Sequence, residues 1–511
     1  MTLLLLLVLP LLAGLLVPLL PEGRAPLARA LAAGAALLQL GLGLLAWRQA
    51  PADLSLSWLP RLGLGLELGL DGLSLPLVLL TALLTAMAVL ASPSDQLRPR
   101  LYYPLLLATN LGVVGAFLAR NALLFVLAYE LVLIPTTLLV AIWGRERRAG
   151  AAIRFLLYGA VSGLSLLAGV LAFGWLGQGA GGAGGAGLAG AGVDFSYAAL
   201  AANPLPASAQ AWVLALLLLG FGLKLPVVPL HGWQPFTYSQ APSPVVMLLG
   251  GAVSKLGAYG LLRFGVGLLP DTWAAWSPWI AAAGAVSAVY GALNAIAASD
   301  MRRLMAYSSL GHMGLLVLAL AAATPMSLQG AVAQVIAHGL IVALLFACVG
   351  LIERKTGTTQ IAELSGLLNP IRGLPFTSAL LLLALMAAAG IPGLAGFPAE
   401  LLVFEGSWTV FPRATLVCLV ASGFTAVYAV RLFNRVGFGR LDNSRADWQS
   451  TRLAERLPAA VLTTLVVLAG IWPIGLTAWS EASTAAIALR HSDPVVQQLA
   501  LAPSPSSTLP A

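Results

Sequence analysis

About 20 consecutive apolar residues are enough to cross the hydrocarbon core of a bilayer. This chain repeats such a stretch about fourteen times, and that feature decides its class of fold. The cores fall near 2–20, 28–47, 72–92, 102–119, 122–142, 154–176, 210–229, 242–265, 276–297, 303–322, 327–350, 374–408, 413–436 and 456–478. Only 9% of residues are charged, against roughly 25% in soluble domains. No polar stretch is long enough to fold an aqueous domain. The expectation is an all-α polytopic membrane protein whose main surroundings are lipid.

The net charge of +8 in a soluble protein would suggest nucleic acid. Here the cations sit in short connections between apolar runs, so no nucleic-acid partner is expected. They follow the odd-numbered runs: Arg24 and Arg29; Arg98 and Arg100; Arg145, Arg147 and Arg148; Arg302 and Arg303; Arg354, Lys355 and Arg372; Arg435, Arg440, Arg445 and Arg452. Connections after the even-numbered runs hold Asp53, Glu67, Asp194 and Asp271 with few cations. Cytoplasmic loops carry the excess of Lys and Arg. The pattern therefore places both termini on the non-cytoplasmic side and supports an even number of spans. Met1–Leu20 lacks a basic leader and is long enough to span, so it reads as a retained helix rather than a cleaved signal.

Two features speak against a bound cofactor. Cys348 and Cys418 lie in apolar runs without metal-binding spacing, so no metal site is expected. The Gly/Ala tract 177–192 contains a formal GxGxxG at Gly179, Gly181 and Gly184. No strand precedes it and no β-α-β unit surrounds it, so a flexible loop is the better reading than a nucleotide site.

Ala211–Gln240, reading AWVLALLLLGFGLKLPVVPLHGWQPFTYSQ, breaks the apolar monotony. Lys224 lies in the body of a spanning run, and Pro226 and Pro229 follow. An ammonium inside lipid is costly and by default marks function. Proline removes a backbone donor, and a broken membrane helix is tolerated only against protein or a wet cavity. The plainer alternative is a lysine near a helix end that reaches the headgroups.

Other ionisable groups lie within apolar runs. Glu130 precedes Pro135 in LLFVLAYELVLIPTTLLVAIWG, and Lys255 sits among small residues in VVMLLGGAVSKLGAYGLLRF. His312 lies in YSSLGHMGLLVLAL, His338 in AVAQVIAHGLIVALLFACVG, and Glu400 in AAAGIPGLAGFPAELLVFEG. Each has a structural alternative: a hydrogen-bonded histidine at 312, a helix cap at Glu400, a packing partner at Glu130 or Lys255. Together they suit a proton relay better than a solute pocket, because a carboxylate near a buried lysine can load and unload its proton.

Pro392, Gly393, Gly396 and Pro398 predict a second interrupted helix, matching the break near Pro226. Paired breaks suggest two inverted repeats. The chain then divides into N-terminal spans (1–100), a first antiporter-like repeat (101–270), a second (271–440), and a last span with a loose tail (441–511, loose from about 483).

Seven stretches carry a resemblance: DGLSLPLVLLT at 71–81, LLFVLAYELVLIPTTLLVAIWG at 123–144, GFGLKLPVVPLHGWQP at 220–235, SKLGAYGLLRF at 254–264, SDMRRLMAYSSLGHMG at 299–314, AHGLIVALLFACVG at 337–350 and GIPGLAGFPAELLVFEG at 390–406. In this order they are similar to the antiporter-like membrane subunits of complex I, of the chain 4 (subunit M or D) type of NAD(P)H-quinone oxidoreductase. The wording AYELVLIP, IRGLPFTSALLLL and LVASGFTAVYAVRLFNRVGFGRLDN resembles the cyanobacterial version, including the forms associated with CO2 uptake.

The resemblance implies a subunit of a proton-translocating oxidoreductase in the thylakoid or plasma membrane. Its partners would be the other membrane subunits and, in the CO2-uptake form, a CO2-hydration subunit. NAD(P)H or ferredoxin and quinone (plastoquinone) would be used by the whole complex, with no redox centre in this chain. Glu130, Lys224, Lys255, His312, His338 and Glu400 fall on the family's relay positions. One departure stands out: where the family reads HxWLPDAHxEAP, this chain reads HGWQPFTYSQAP. Phe236, Tyr238 and Gln240 thus replace Asp, His and Glu near one mouth of the implied path. Two alternatives remain open, a subunit of an Mrp-type cation/proton antiporter and a structural subunit that conducts nothing.

Overall fold

Residues 1–181, 193–439 and 448–491 are described by the computed structural model. Among them, thirteen helices are long and apolar enough to cross a membrane. A fourteenth span is split into Pro375–Ala388 and Gly396–Trp408. The segments expected from the apolar runs are all present.

The chain runs up and down. Connections after odd-numbered spans meet at one face: Arg354 Nη1 donates to Ala91 O at 2.7 Å, Arg145 N to Gln240 O at 2.8 Å, and Leu367 N to Val436 O at 3.1 Å. Connections after even-numbered spans meet at the other: Ala122 N donates to Phe195 O at 2.8 Å, and Thr324 Oγ1 to Gly406 O at 2.9 Å. The alternation of charge in the sequence is thereby an alternation of faces, one basic and one not. Arg440 and Arg445 lie outside the described residues.

The eighth span (Ser243–Val266) and the eleventh (Pro325–Thr356) are wholly enclosed by protein. Outer spans present apolar stripes instead, such as Ile153, Leu157, Val161 and Leu164 of the sixth span (Arg148–Gln178). Lipid provides no hydrophobic drive between helices, so these stripes stay outside, while Lys255 and His338 lie on the enclosed pair.

Both interrupted helices are where the prolines and glycines place them. The seventh span, Ala207–Lys224, stops at Lys224, and helix resumes only at Gln234–Gln240. Pro226 and Pro229 supply no N–H for a continuing ladder. The twelfth span pauses between Ala388 and Gly396, where Gly390 and Gly393 take φ of +67° and +89°, a region glycine enters without steric cost. The breaks are five spans apart. An odd number of spans returns the chain to the opposite face, so the two breaks lie in units that start on opposite faces.

Three details differ from the sequence expectation. Leu54–Leu59 and Leu64–Leu68 pair as an antiparallel hairpin in the second connection; their short alternating pattern was hidden between long apolar runs. The tail is not loose from 483: Glu481–Ala488 is helical, and Arg490 Nη1 reaches Gly267 O at 2.6 Å. Residues 492–511 lie outside the described residues. Of the glycine tract, Gly179 and Gly181 belong to a helix, Arg148–Gly181, rather than a loop, and Gly184 lies outside the described residues.

Candidate functional site

Glu130 is placed by a proline. Pro135 has no N–H for the carbonyl of Leu131, so the fifth span breaks into Ala122–Leu131 and Leu133–Trp143 directly after Glu130. The side chain lies against Gly163 of the sixth span, where a Cβ would sit 1.9 Å from Glu130 Oε1. Only glycine leaves room for the carboxylate there.

Lys224 closes the first half of the seventh span, at the end whose free carbonyls favour a cation. It is 3% exposed, and Nζ stands 4.3 Å from the centre of the Tyr129 ring. A desolvated cation–π contact is worth about 2 kcal/mol. Burying an ammonium costs several kcal/mol, so the ring alone does not hold the charge. Glu130 adds an electrostatic attraction, without forming a close ion pair. Glu130 and Lys224 are therefore longer-range neighbours, with Tyr129 in contact.

Lys255 lies between two π-helical stretches, Leu249–Val253 and Leu261–Val266. Such bulges are frequent at functional sites. Its side chain is fully buried, and Nζ meets His338 Nδ1 at 2.8 Å. The His338 and His312 rings are 5.5 Å apart between centres. His312 Nε2 lies 3.4 Å from Glu400 Oε1 and 2.9 Å from Ala388 O, a carbonyl freed by the break in the twelfth span. His312 Nδ1 faces Ser308 O at 2.8 Å. Acceptors on both nitrogens are satisfied together only when both carry hydrogen. Glu400 Oε2 accepts from Ser422 Oγ at 2.7 Å. Glu400 therefore bonds across helices instead of capping its own. Lys255, His338, His312 and Glu400 form one contiguous string.

The short helix Gln234–Gln240 spans the interval between this string and Lys224. At one end Trp233 Nε1 donates to Leu223 O at 2.7 Å, and its ring packs against Phe155, which also borders Lys224. At the other end the Tyr238 hydroxyl lies against Gly250 of the eighth span, where Ser254 Oγ bonds Gly250 O one residue before Lys255. Both side-chain amide atoms of Gln234, Thr237 Oγ1 and the Tyr238 hydroxyl are buried without a well-formed protein hydrogen bond, although Gln234 and Ser254 stand beside the Tyr238 hydroxyl. Each such atom costs about 1–3 kcal/mol if left bare. Four on one short helix are the set that buried water satisfies.

A cavity of about 740 Å³ opens beneath this helix on the basic face, with Phe236, Gln240, Arg145, Arg154, Arg303 and Asp300 in its wall. The Arg154 guanidinium stacks 4.3 Å from the Phe236 ring centre. The three replaced positions thus separate: Phe236 and Gln240 stand at the mouth, while Tyr238 points inward and is fully buried. Arg302, read from sequence as one loop cation among many, is 1% exposed and ties Ser243 Oγ (2.8 Å) to Glu353 Oε2 (2.7 Å). On the other face Asp71 pairs with Arg120 at 2.9 Å and with Arg263. Burial pushes the Asp71 carboxyl up, but the two guanidiniums outweigh it and hold it well below the usual carboxylate range. Ser308, Ser422, Gln234 and Thr237 gave no sequence signal, since small polar residues are common in membrane helices.

Comparison with known proteins follows the same lines. Residues 119–425 match the family described as NADH:quinone oxidoreductase/Mrp antiporter, TM. The NAD(P)H-quinone oxidoreductase chain 4 1 of Synechococcus sp. (strain JA-3-3Ab) is 36% identical over 99% of this chain and 97% of its own length. A chain of respiratory complex I from Thermus thermophilus with bound NADH superposes with a TM-score of 0.85 at 29% identity, over 96% of this chain and all (100%) of that one. A chain of the Mrp complex from Dietzia sp. DQ12-45-1b gives 0.81 at 26% identity, over 97% of this chain and 52% of that one.

Proposed function

Because the chain belongs to the NADH:quinone oxidoreductase/Mrp antiporter transmembrane family, as a relative of NAD(P)H-quinone oxidoreductase chain 4, we propose that it moves protons as a membrane subunit of such an oxidoreductase. The observation that carries this reading is the succession Lys255–His338–His312–Glu400, buried inside the protein, with His338 bonded to Lys255 and the other neighbours 3.4–5.5 Å apart. Four titratable groups in sequence have no packing advantage over apolar residues, because each buried charge costs several kcal/mol. They are worth that cost where a proton must pass.

In this account Glu130 modulates the proton on Lys224, and water along Gln234–Gln240 links Lys224 to Lys255. The proton then steps through His338 and His312 to Glu400. Electron transfer from NAD(P)H or ferredoxin to quinone takes place in other subunits and drives the cycle. The units 101–270 and 271–440 act as the two repeats, each supplying one broken span. The other membrane subunits are the partners. The loss of acids at Phe236 and Gln240 supports a specialised complex, and with it a CO2-hydration subunit as a further partner.

The Mrp likeness keeps an antiporter reading in view. Inverted membrane vesicles holding the intact complex separate the two. The account expects quinone-dependent acidification that is indifferent to sodium. Sodium-driven proton exchange without any quinone-linked acidification would replace it with the antiporter reading.

A further inference from the structure

The string above ends at Glu400, and the structure offers that end a polar route of its own. On the thirteenth span, Pro412–Val436, Ala421, Thr425 and Tyr428 face inward and are buried, while Val417, Val420, Val427 and Val430 face outward. The hydroxyls of this helix divide into two kinds. Thr415 Oγ1 bonds its own helix, at Phe411 O (2.8 Å), the ordinary use of a hydroxyl in a membrane helix. Ser422 Oγ and the Tyr428 hydroxyl instead bond across helices, to Glu400 Oε2 and to Ser308 Oγ, each at 2.7 Å.

Ser308, Ser422 and Tyr428 line a void of about 10 Å³ together with His312, Thr425 and Gly311, room for about one water. Tyr428 is also part of the wall of a second cavity, of about 650 Å³, shared with Ser299, Arg431, Asn434 and Arg435. Ser299 lines the 740 Å³ cavity below Lys224 as well. Both cavities therefore open on the basic face, and Tyr428 is common to the walls of the second cavity and of the void.

We propose that the second half of the chain has its own proton inlet from the basic face, in which the Tyr428–Ser308 hydroxyl pair passes protons from the outer cavity to Glu400. The inference rests on the relay reading above and adds a second port to it. A hydronium in the outer cavity gives a proton to the Tyr428 oxygen and becomes water, and Tyr428 passes its own proton to Ser308 Oγ. Ser308 passes one to the water in the void, and that water passes one through Ser422 Oγ to Glu400 Oε2. Each hydroxyl gives one proton and takes one, so none ionises, and one positive charge crosses. His312, ion-paired with Glu400, then connects this port to Lys255.

The test uses the assembled complex in inverted vesicles. Removing a positioned proton-transfer group costs about a hundredfold or more. Tyr428→Phe should lower quinone-coupled proton uptake about tenfold, less than that because water can partly replace a hydroxyl. Thr415→Val should leave uptake unchanged. Lys224→Ala serves as the reference: if it abolishes uptake and Tyr428→Phe does not lower it, the second inlet is wrong while the relay stands. If Lys224→Ala has no effect either, both fall.

Sidedness is read separately, with Cys348 and Cys418 replaced by alanine. Thr425→Cys combined with Tyr428→Ala should react with a membrane-impermeant thiosulfonate added at the basic face. Reaction only from the opposite face, or from neither, overturns the inlet.

Discussion

Lys224→Ala is expected to abolish quinone-coupled proton movement, a loss of at least about a hundredfold, in a complex that still assembles. Assembly survives because Lys224 holds no close ion pair whose breaking would strand a buried partner. Its contact is the Tyr129 ring, and the Glu130 carboxylate is only half-buried. Lys224→Arg separates the two things a cation can do here. A guanidinium keeps the charge and the ring contact but does not release its proton. If the lysine only shapes the local field, Arg restores transport. If it hands on a proton, Arg is as inert as Ala, and that is the expected result. Quinone-dependent acidification, read beside the yield of intact complex, decides between them.

His338→Leu is expected to cut coupled transport about a hundredfold, because the histidine is the titratable group between Lys255 and His312. Leucine fills a comparable volume and cannot carry a proton. His338→Ala removes the same imidazole but leaves space beside the Lys255 ammonium. Water entering that space should make the alanine variant the less impaired of the two, by about tenfold. A merely structural histidine predicts the reverse order, since truncation leaves a cavity costing about 2–5 kcal/mol and a larger apolar residue does not. Transport and thermal stability of both variants in the intact complex give the comparison.

Much of this was legible in the sequence because membrane helices obey a coarse rule of length and apolarity. The fourteen spans, the breaks at Pro226 and at Gly390–Gly393, and the buried candidates Glu130, Lys224, Lys255, His312, His338 and Glu400 all follow from it. What sequence could not supply was adjacency. Nothing in the spacing of Lys255 and His338 says that they meet at 2.8 Å, nor that Glu130 and Lys224 interact without touching. Hydroxyls were invisible for a different reason. Thr415 and Ser422 lie on one helix and look alike as letters, yet one bonds its own backbone and the other Glu400. The hairpin at Leu54–Leu68 escaped because its strands are too short to stand out between apolar runs.

The account depends on a wet connection between Lys224 and Lys255, along the helix that carries Gln234, Thr237 and Tyr238. An experimental map of the assembled complex, sharp enough to show ordered water, tests this most directly. Waters bonded to the Gln234 amide, Thr237 Oγ1 and the Tyr238 hydroxyl, running from the Lys224 ammonium toward Lys255, are the predicted result. A dry interval, with those atoms bonded to protein and apolar side chains closing the gap, would contradict it.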